Sequence, residues 1–324
     1  MIDHDKIQGK INIVSVSGGV DSTACYLLAL ESGEPFRAVF ADTGNEHEVT
    51  LEYIRSLPRL TGGPEVQEVR ADFRQRISVR RARLEMMRDT GEYTDGWDAE
   101  KVSRVLEQLH PTGIPMLDLC LWKGRFPSSM ARFCTVELKL DAIKRYCTGP
   151  AVAEAIARGG RPSDVIQWVG VRRDESRARA GAEEWSTDSL GNLVYCPLVE
   201  WTKQACFDLL KRHEVEPNPL YKMGCGRVGC MPCIHARKAE ILAIAQRFPE
   251  HIEKIREWER LTGACSKRGK STFFCCTTVP GIGDDRAHID AVVEWSKTGR
   301  GGAQYSMDAL MEPPACSSLY GLCE

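Results

Sequence analysis

The sequence predicts an α/β protein: a parallel β-sheet with helices on both faces, followed by a cysteine-rich helical and loop region. Two observations carry this. From Ile11 to Arg70, strand-like and helix-like segments alternate at the pace of β-α-β units. The first strand also runs straight into paired glycines, the kind of junction where open α/β sheets bind ligands. The elements follow in order. Ile11 to Val16 is a β-branched run that stops at Ser17-Gly18-Gly19. Helical spacing then continues through Cys25, Leu28 and Leu30, with Ser32-Gly33 as its stop. A second strand, Arg37 to Ala41, enters Asp42-Thr43-Gly44, and a helix over about 46–57 leads to a third strand in 64–70. Residues 73–146 read as an insertion of helix and loop, and further strands are expected at 165–171 and 193–199. A helix over 202–213 precedes Pro217-Asn218-Pro219 and the main cysteine cluster. Two helices follow, 235–247 and 250–261, separated by Pro249, which suits a first helical turn. From Cys265 onward Gly, Pro and Cys dominate, so a loop-dominated end is expected.

Composition bounds what such a chain does. It has 324 residues, 43% of them apolar and 27% charged, which is enough for a sizeable core. With 43 Lys+Arg against 45 Asp+Glu the formal charge is -2, which argues against retention on nucleic acid or lipid by bulk charge alone. Uncharged runs fall well short of the ~18 apolar residues of a membrane span. The polar start MIDHDKIQGK has no signal-peptide core, so a reducing cytoplasm is the expected location. Fourteen cysteines there call for a metal, a cluster, redox chemistry or burial rather than a disulfide framework. One local bias stands out. Between Arg70 and Arg88, seven arginines face only Asp72 and Glu85. Arg74, Arg76, Arg80, Arg81 and Arg83 are expected to form a solvated helix face, with steering of a nucleic acid as the alternative.

The string Ser17-Gly18-Gly19-Val20-Asp21-Ser22 lies between strand and helix, where an anion-binding loop belongs. Its glycines let backbone approach a phosphate, amides at the helix start complement the charge, and Ser17 and Ser22 add hydroxyls. Asp21 would repel a polyphosphate unless it holds Mg²⁺ or orients a donor. The loop is neither a Walker motif nor a GxGxxG. It resembles the PP-loop of the N-type ATP pyrophosphatases and their sulfate-reductase relatives. Ala41-Asp42-Thr43-Gly44-Asn45-Glu46 is similar to the DTG segment of the phosphoadenosine phosphosulfate (PAPS) reductase family. Gly170-Val171-Arg172-Arg173-Asp174-Glu175-Ser176-Arg177 and Asn218-Pro219-Leu220-Tyr221 are similar to further segments of that family. The resemblance implies a five-stranded parallel sheet of the adenine nucleotide alpha hydrolase, Rossmann-like type, with the nucleotide across the strands' carboxyl ends. Its nucleotide contacts would be residues 17–22, Asp42, Thr43, Gly44, Gly170, Arg172 and Arg177. A nucleotide-binding unit would span 1–220, with its insertion at 73–146, and a cysteine-rich region 221–324 would pack on it.

Cys225, Cys230 and Cys233 place three thiols among three glycines and a proline, turns that can aim sulfurs at one centre. One further ligand would complete tetrahedral zinc or a [4Fe-4S] cluster, and His235 is too close in sequence to Cys233 to supply it. Arg132-Phe133-Cys134-Thr135 resembles a segment of the Fe-S DNA phosphorothioation enzymes, whose cysteine segment also resembles 227–233. That resemblance implies a [4Fe-4S] cluster on Cys134, Cys225, Cys230 and Cys233, with zinc as the alternative. Cys25, Cys120, Cys147, Cys196 and Cys206 read as core residues. Cys275, Cys276 and Cys316 offer a second metal contact, and Cys323 is a candidate nucleophile on the tail.

Two chemistries follow from the resemblance. In one, ATP and Mg²⁺ give AMP and pyrophosphate while sulfur is transferred to an acceptor, Asp21 and Ser22 acting in the loop. In the other, PAPS or adenylylsulfate is reduced to sulfite through Cys323, although the tail lacks the family's E-C-G-x-H string. The intact loop favours ATP. A nucleotide- or cluster-binding regulator without turnover is a third class. The acceptor is a nucleic acid or a small molecule, and a cysteine desulfurase or thiol reductant is the expected protein partner.

Overall fold

A computed structural model describes residues 2–275 and 287–299. Six strands form one sheet: β1 Ile11–Val16, β2 Phe36–Ala41, β3 Val66–Val69, β4 Val165–Trp168, β5 Trp185–Thr187 and β6 Leu193–Tyr195. Their order is β3-β2-β1-β4-β6-β5, parallel throughout except for β5, which runs antiparallel to β6. The chain builds outward in one direction through β2 and β3, then returns to the far side of β1 with β4. The β1/β4 boundary is therefore the switch point, where the loops after two adjacent parallel strands diverge and leave a crevice. β1 and β4 are buried because helices cover both sheet faces, which explains why they read as continuous apolar runs.

On one face the helices Val20–Glu31 and Lys203–Arg212 pack together over a core containing Tyr26, Leu27, Trp168 and Tyr195. The other face is covered through Ala142, Ile143, Cys147, Ala151 and Val152, which meet Ile13, Val39 and Val165. These residues belong to a helical run over 135–157 in which the stretches Thr135–Leu140 and Lys144–Thr148 have the wider π-helical winding. A third core lies off the sheet. In it the insertion helices Arg74–Thr90, Ala99–Gln108 and Pro115–Lys123 share apolar contacts with Lys238–Arg247, Pro249–Ala264 and Ile289–Ser296. Among the described residues no helix is long and apolar enough to cross a membrane.

Three features depart from the sequence expectation. The sheet has a sixth strand, β5, a three-residue antiparallel edge too short and too exposed to announce itself. The segment after Cys265, expected as loop, holds the helix Ile289–Ser296. The arginine run is not simply a solvated face. Arg80 donates to the carbonyls of Leu121, Trp122 and Cys265 at 2.6, 2.6 and 2.7 Å, and Arg81 donates to Leu106 and Leu109 at 2.7 and 3.1 Å. Those carbonyls lie at the C-terminal ends of three helices, where intrahelical donors run out (Leu121 also accepts from the Gly124 amide), so the guanidinium forks act as C-terminal caps. Arg74, Arg76 and Arg83 are instead paired with Asp72, Glu137 and Asp95. All five core cysteines, Cys25, Cys120, Cys147, Cys196 and Cys206, are buried.

Candidate active site

The loop after β1 is curled by its own hydroxyls. The Ser17 amide donates to Ser22 Oγ at 3.0 Å, the two serine hydroxyls are 3.1 Å apart, and Ser22 Oγ donates to the Gly19 carbonyl at 3.0 Å. Gly18 sits at φ +74°, and a Cβ there would lie 2.7 Å from Thr50 Cγ2, so both backbone and space demand glycine. Gly170, in the loop after β4, comes so close that a Cβ on it would sit 2.7 Å from the Asp21 carbonyl oxygen. The segment 218–221 braces the loop from the other side. Asn218 Nδ2 donates to the Gly18 carbonyl at 3.2 Å, and the Val20 amide donates to the Tyr221 hydroxyl at 3.0 Å. Among the described residues, the amides of Gly18, Gly19, Asp21 and Ser22 donate to no protein acceptor. They open the helix Val20–Glu31, whose dipole adds to their preference for an anion.

Arg172 is brought to this loop and Arg177 is not. The buried Arg172 guanidinium donates from Nε to Asp21 Oδ1 at 2.8 Å and also pairs with Asp174. Asp21 is thus held by a cation from β4's loop. Arg177 lies exposed in a single turn, and among the described residues its guanidinium has no ion-pair partner.

The loop after β2 is built the same way, from groups that satisfy one another. Asp42 is buried, accepts from the Gly44 amide at 2.8 Å and from Arg70 Nε at 2.7 Å. Thr43 Oγ1 donates to the Glu46 carboxylate at 2.8 Å, and the Thr43 amide donates to it at 3.0 Å. This loop reaches directly to the thiols. Cys230 Sγ lies 3.5 Å from Glu46 Oε1 and 3.6 Å from Thr43 Oγ1. Asn45 Nδ2 donates to the Pro232 carbonyl at 2.9 Å, and the Met231 amide donates to the Asn45 carbonyl at 2.7 Å.

Cys225, Cys230 and Cys233 line one pocket with Arg227, Met231 and Ile244. Burial pushes the Cys225 thiol up to about 11 and raises Cys230 strongly, while Lys139 pulls Cys230 the other way. Lys139 is itself held up by Cys230 first, then by Glu46, Cys233 and Cys134, which puts the ammonium amid three of the four thiols. Burial raises Cys134 too, with Cys233 as its next influence. No three described thiol sulfurs lie within 4.8 Å of one another. Asn45 Oδ1, buried beside this turn, has no hydrogen-bond partner among the described residues. Cys275 is exposed; Cys276, Cys316 and Cys323 lie outside the described residues.

A family model for the phosphoadenosine phosphosulfate reductase domain matches residues 11–116 and 120–236. The chain belongs to that family. The matched residues include the β1, β2 and β4 loops and the turn through Cys233. One relative, named the uncharacterized 37.8 kDa protein in gpa 5′ region of Escherichia phage 186, is 45% identical over 336 residues and covers 98% of both chains. An adenosine 5′-phosphosulfate reductase of Burkholderia cepacia is 40% identical over 76 residues, 23% of this chain and 30% of that enzyme. A crystal structure of PAPS reductase from Candida auris in a phosphate complex aligns with TM-score 0.41 and 13% identity, over 72% of this chain and 90% of that one.

Glu46, Asn45, Lys139 and Tyr221 were not singled out as site residues from sequence. The available signal was adjacency. Asn45-Glu46 directly follow Asp42-Thr43-Gly44, and Lys139 lies five residues beyond Cys134.

Proposed function

We propose that this PAPS reductase family member is a PP-loop enzyme that splits ATP to AMP and pyrophosphate and couples the split to sulfur transfer. The observation that carries this is the β1 loop: four unpaired amides at a helix start, ending a β1/β4 switch point, with the thiol turn as the adjoining wall. The Gly18, Gly19, Asp21 and Ser22 amides, with the serine hydroxyls, hold the polyphosphate of Mg·ATP and stabilise charge on the leaving pyrophosphate. Asp21 orients Arg172 toward the phosphates. An acceptor oxygen attacks the α-phosphorus, pyrophosphate leaves, and sulfur then displaces AMP.

Cys134, Cys225, Cys230 and Cys233 would hold a [4Fe-4S] cluster. The donor set fits: three thiols of one turn line a single pocket, Cys134 is influenced by Cys233, and Lys139 offsets thiolate charge. Such a cluster binds or relays sulfur when present. Glu46 and Thr43 fix Cys230 from behind, so the nucleotide loop and the thiols are set by one turn. Iron and sulfide analysis of anaerobically purified protein tests this assignment. About four iron and four sulfide per chain are expected, falling to background in Cys134→Ala. Stoichiometric zinc without sulfide in the wild type would overturn it.

A second reading, reduction of PAPS or adenylylsulfate with Cys323 as nucleophile, is favoured by the 76-residue match to the Burkholderia reductase. It requires the sulfonucleotide, rather than ATP, to be consumed.

A further inference from the structure

One other set of ligand-bearing side chains converges among the described residues. His47, Glu250 and His251 bring their ligand atoms within 4.8 Å of one another. We infer that His47, Glu250 and His251 form a site for a divalent transition-metal ion of the zinc class, separate from the thiols and seated behind the Cys230 turn.

The ring chemistry carries the argument. His251 Nδ1 lies 3.0 Å from the Met231 carbonyl, which accepts only a proton, so that nitrogen is N–H and Nε2 keeps the lone pair. A metal-ligating histidine shows this arrangement, its second nitrogen anchored on a carbonyl. The rings of His47 and His251 have centroids 5.0 Å apart and planes within 16°. The rings are stacked, and because an ion lies in the plane of each imidazole that binds it, loading the site turns one ring out of the stack. Glu250 supplies the carboxylate, and two histidines, one carboxylate and an open position make a familiar divalent donor set. Charge agrees in sign. Glu250, Glu48 and Glu52 face His47 against the single cation Lys254, and Glu48 and Glu250 lie in the first turns of their helices, offsetting the dipoles that meet there. His47 Nδ1 accepts from the Val49 amide at 3.1 Å and thereby caps its helix. An ion on His47 Nε2 shifts that ring's proton to Nδ1 and ends the cap bond. Ion binding is thus linked to the start of the helix that follows Glu46, and through Met231 to the thiol turn.

Cobalt(II) is the probe: titrated into the full anaerobically purified chain, with visible absorption as the readout, and repeated on Glu250→Gln and His251→Ala. Glu250 is exposed, so Glu250→Gln folds as the parent does. The expected result is one saturable cobalt per chain with ligand-field bands of nitrogen and oxygen donors, at least tenfold weaker in both variants. The Val49 amide should exchange faster when the ion is bound. An isotherm unchanged in Glu250→Gln, absence of a saturable signal, or bands carrying only sulfur-to-cobalt charge transfer would overturn the site. Failure of the cluster assignment would instead leave sulfur bands indifferent to Glu250→Gln.

Discussion

Gly18 and Gly19 are adjacent and serve different ends. Gly18 has positive φ and no room, since a methyl would meet Thr50 Cγ2 at 2.7 Å; Gly19 has φ -83°, and its nearest neighbour to an added Cβ is the Val228 carbonyl at 3.4 Å. Gly18→Ala should therefore lower stability by about 1–3 kcal/mol through strain and overlap, visible as a shifted urea midpoint. Gly19→Ala should leave that midpoint within about 0.5 kcal/mol of the parent, since the protein tolerates the methyl. It should still slow ATP turnover at least tenfold, a loss of about 1.4 kcal/mol of transition-state stabilisation, because the methyl intrudes where phosphate approaches. Wild-type turnover from Gly19→Ala would count against the loop as the phosphate site. The sequence showed both glycines but could not separate their roles, because φ and the distance to Thr50 depend on a helix thirty residues away. In the same way Asp21 is visible in the motif, whereas its ion pair with Arg172 spans 151 positions and exists only once β1 and β4 are side by side.

At the scale of elements, strands β1, β2 and β4 were legible because burial leaves β-branched, apolar runs, whereas the partly exposed β3 and β6 were legible from their place in the alternation of strand and helix and in the following motif segment. β5 was not, since an exposed antiparallel edge needs only three residues and takes its register from β6. The insertion was legible as helix, but its arginines were assigned by local charge, and local charge does not reveal which carbonyls a long side chain reaches. Arg80 ties the ends of Pro115–Lys123 and Pro249–Ala264 to its own helix Arg74–Thr90. Arg80→Ala is expected to cost about 2–3 kcal/mol in chemical denaturation, because partly buried carbonyls lose charged donors. Arg83→Ala, which removes only an exposed pair with Asp95, should cost no more than about 0.5 kcal/mol. Equal losses from the two substitutions would contradict the capping role.

For the whole molecule, the arrangement of three cores explains how one site draws on distant segments. Two cores sandwich the sheet and fix the β1, β2 and β4 loops along one edge; the third joins the insertion to the C-terminal helices and carries Cys134, Cys225 and Met231 to that edge. Val228 packs against both the sheet core and the off-sheet core, at the point where the thiol turn meets the phosphate loop. That Cys225, Cys230 and Cys233 share one turn was legible from their spacing. Their attachment to Thr43, Asn45 and Glu46 was not, because it is made by side chains across 187 and 184 positions of chain. Family membership leaves two substrates in contention, and the unpaired amides of an intact loop favour the one with a polyphosphate to release. Nucleotide products resolved by ion-exchange chromatography decide between them, using anaerobically purified protein with Mg²⁺ and a mixture of ATP and PAPS. AMP and pyrophosphate from the ATP are expected. Adenosine 3′,5′-bisphosphate and sulfite with the ATP untouched would contradict the ATP-splitting reading and make the chain a sulfonucleotide reductase.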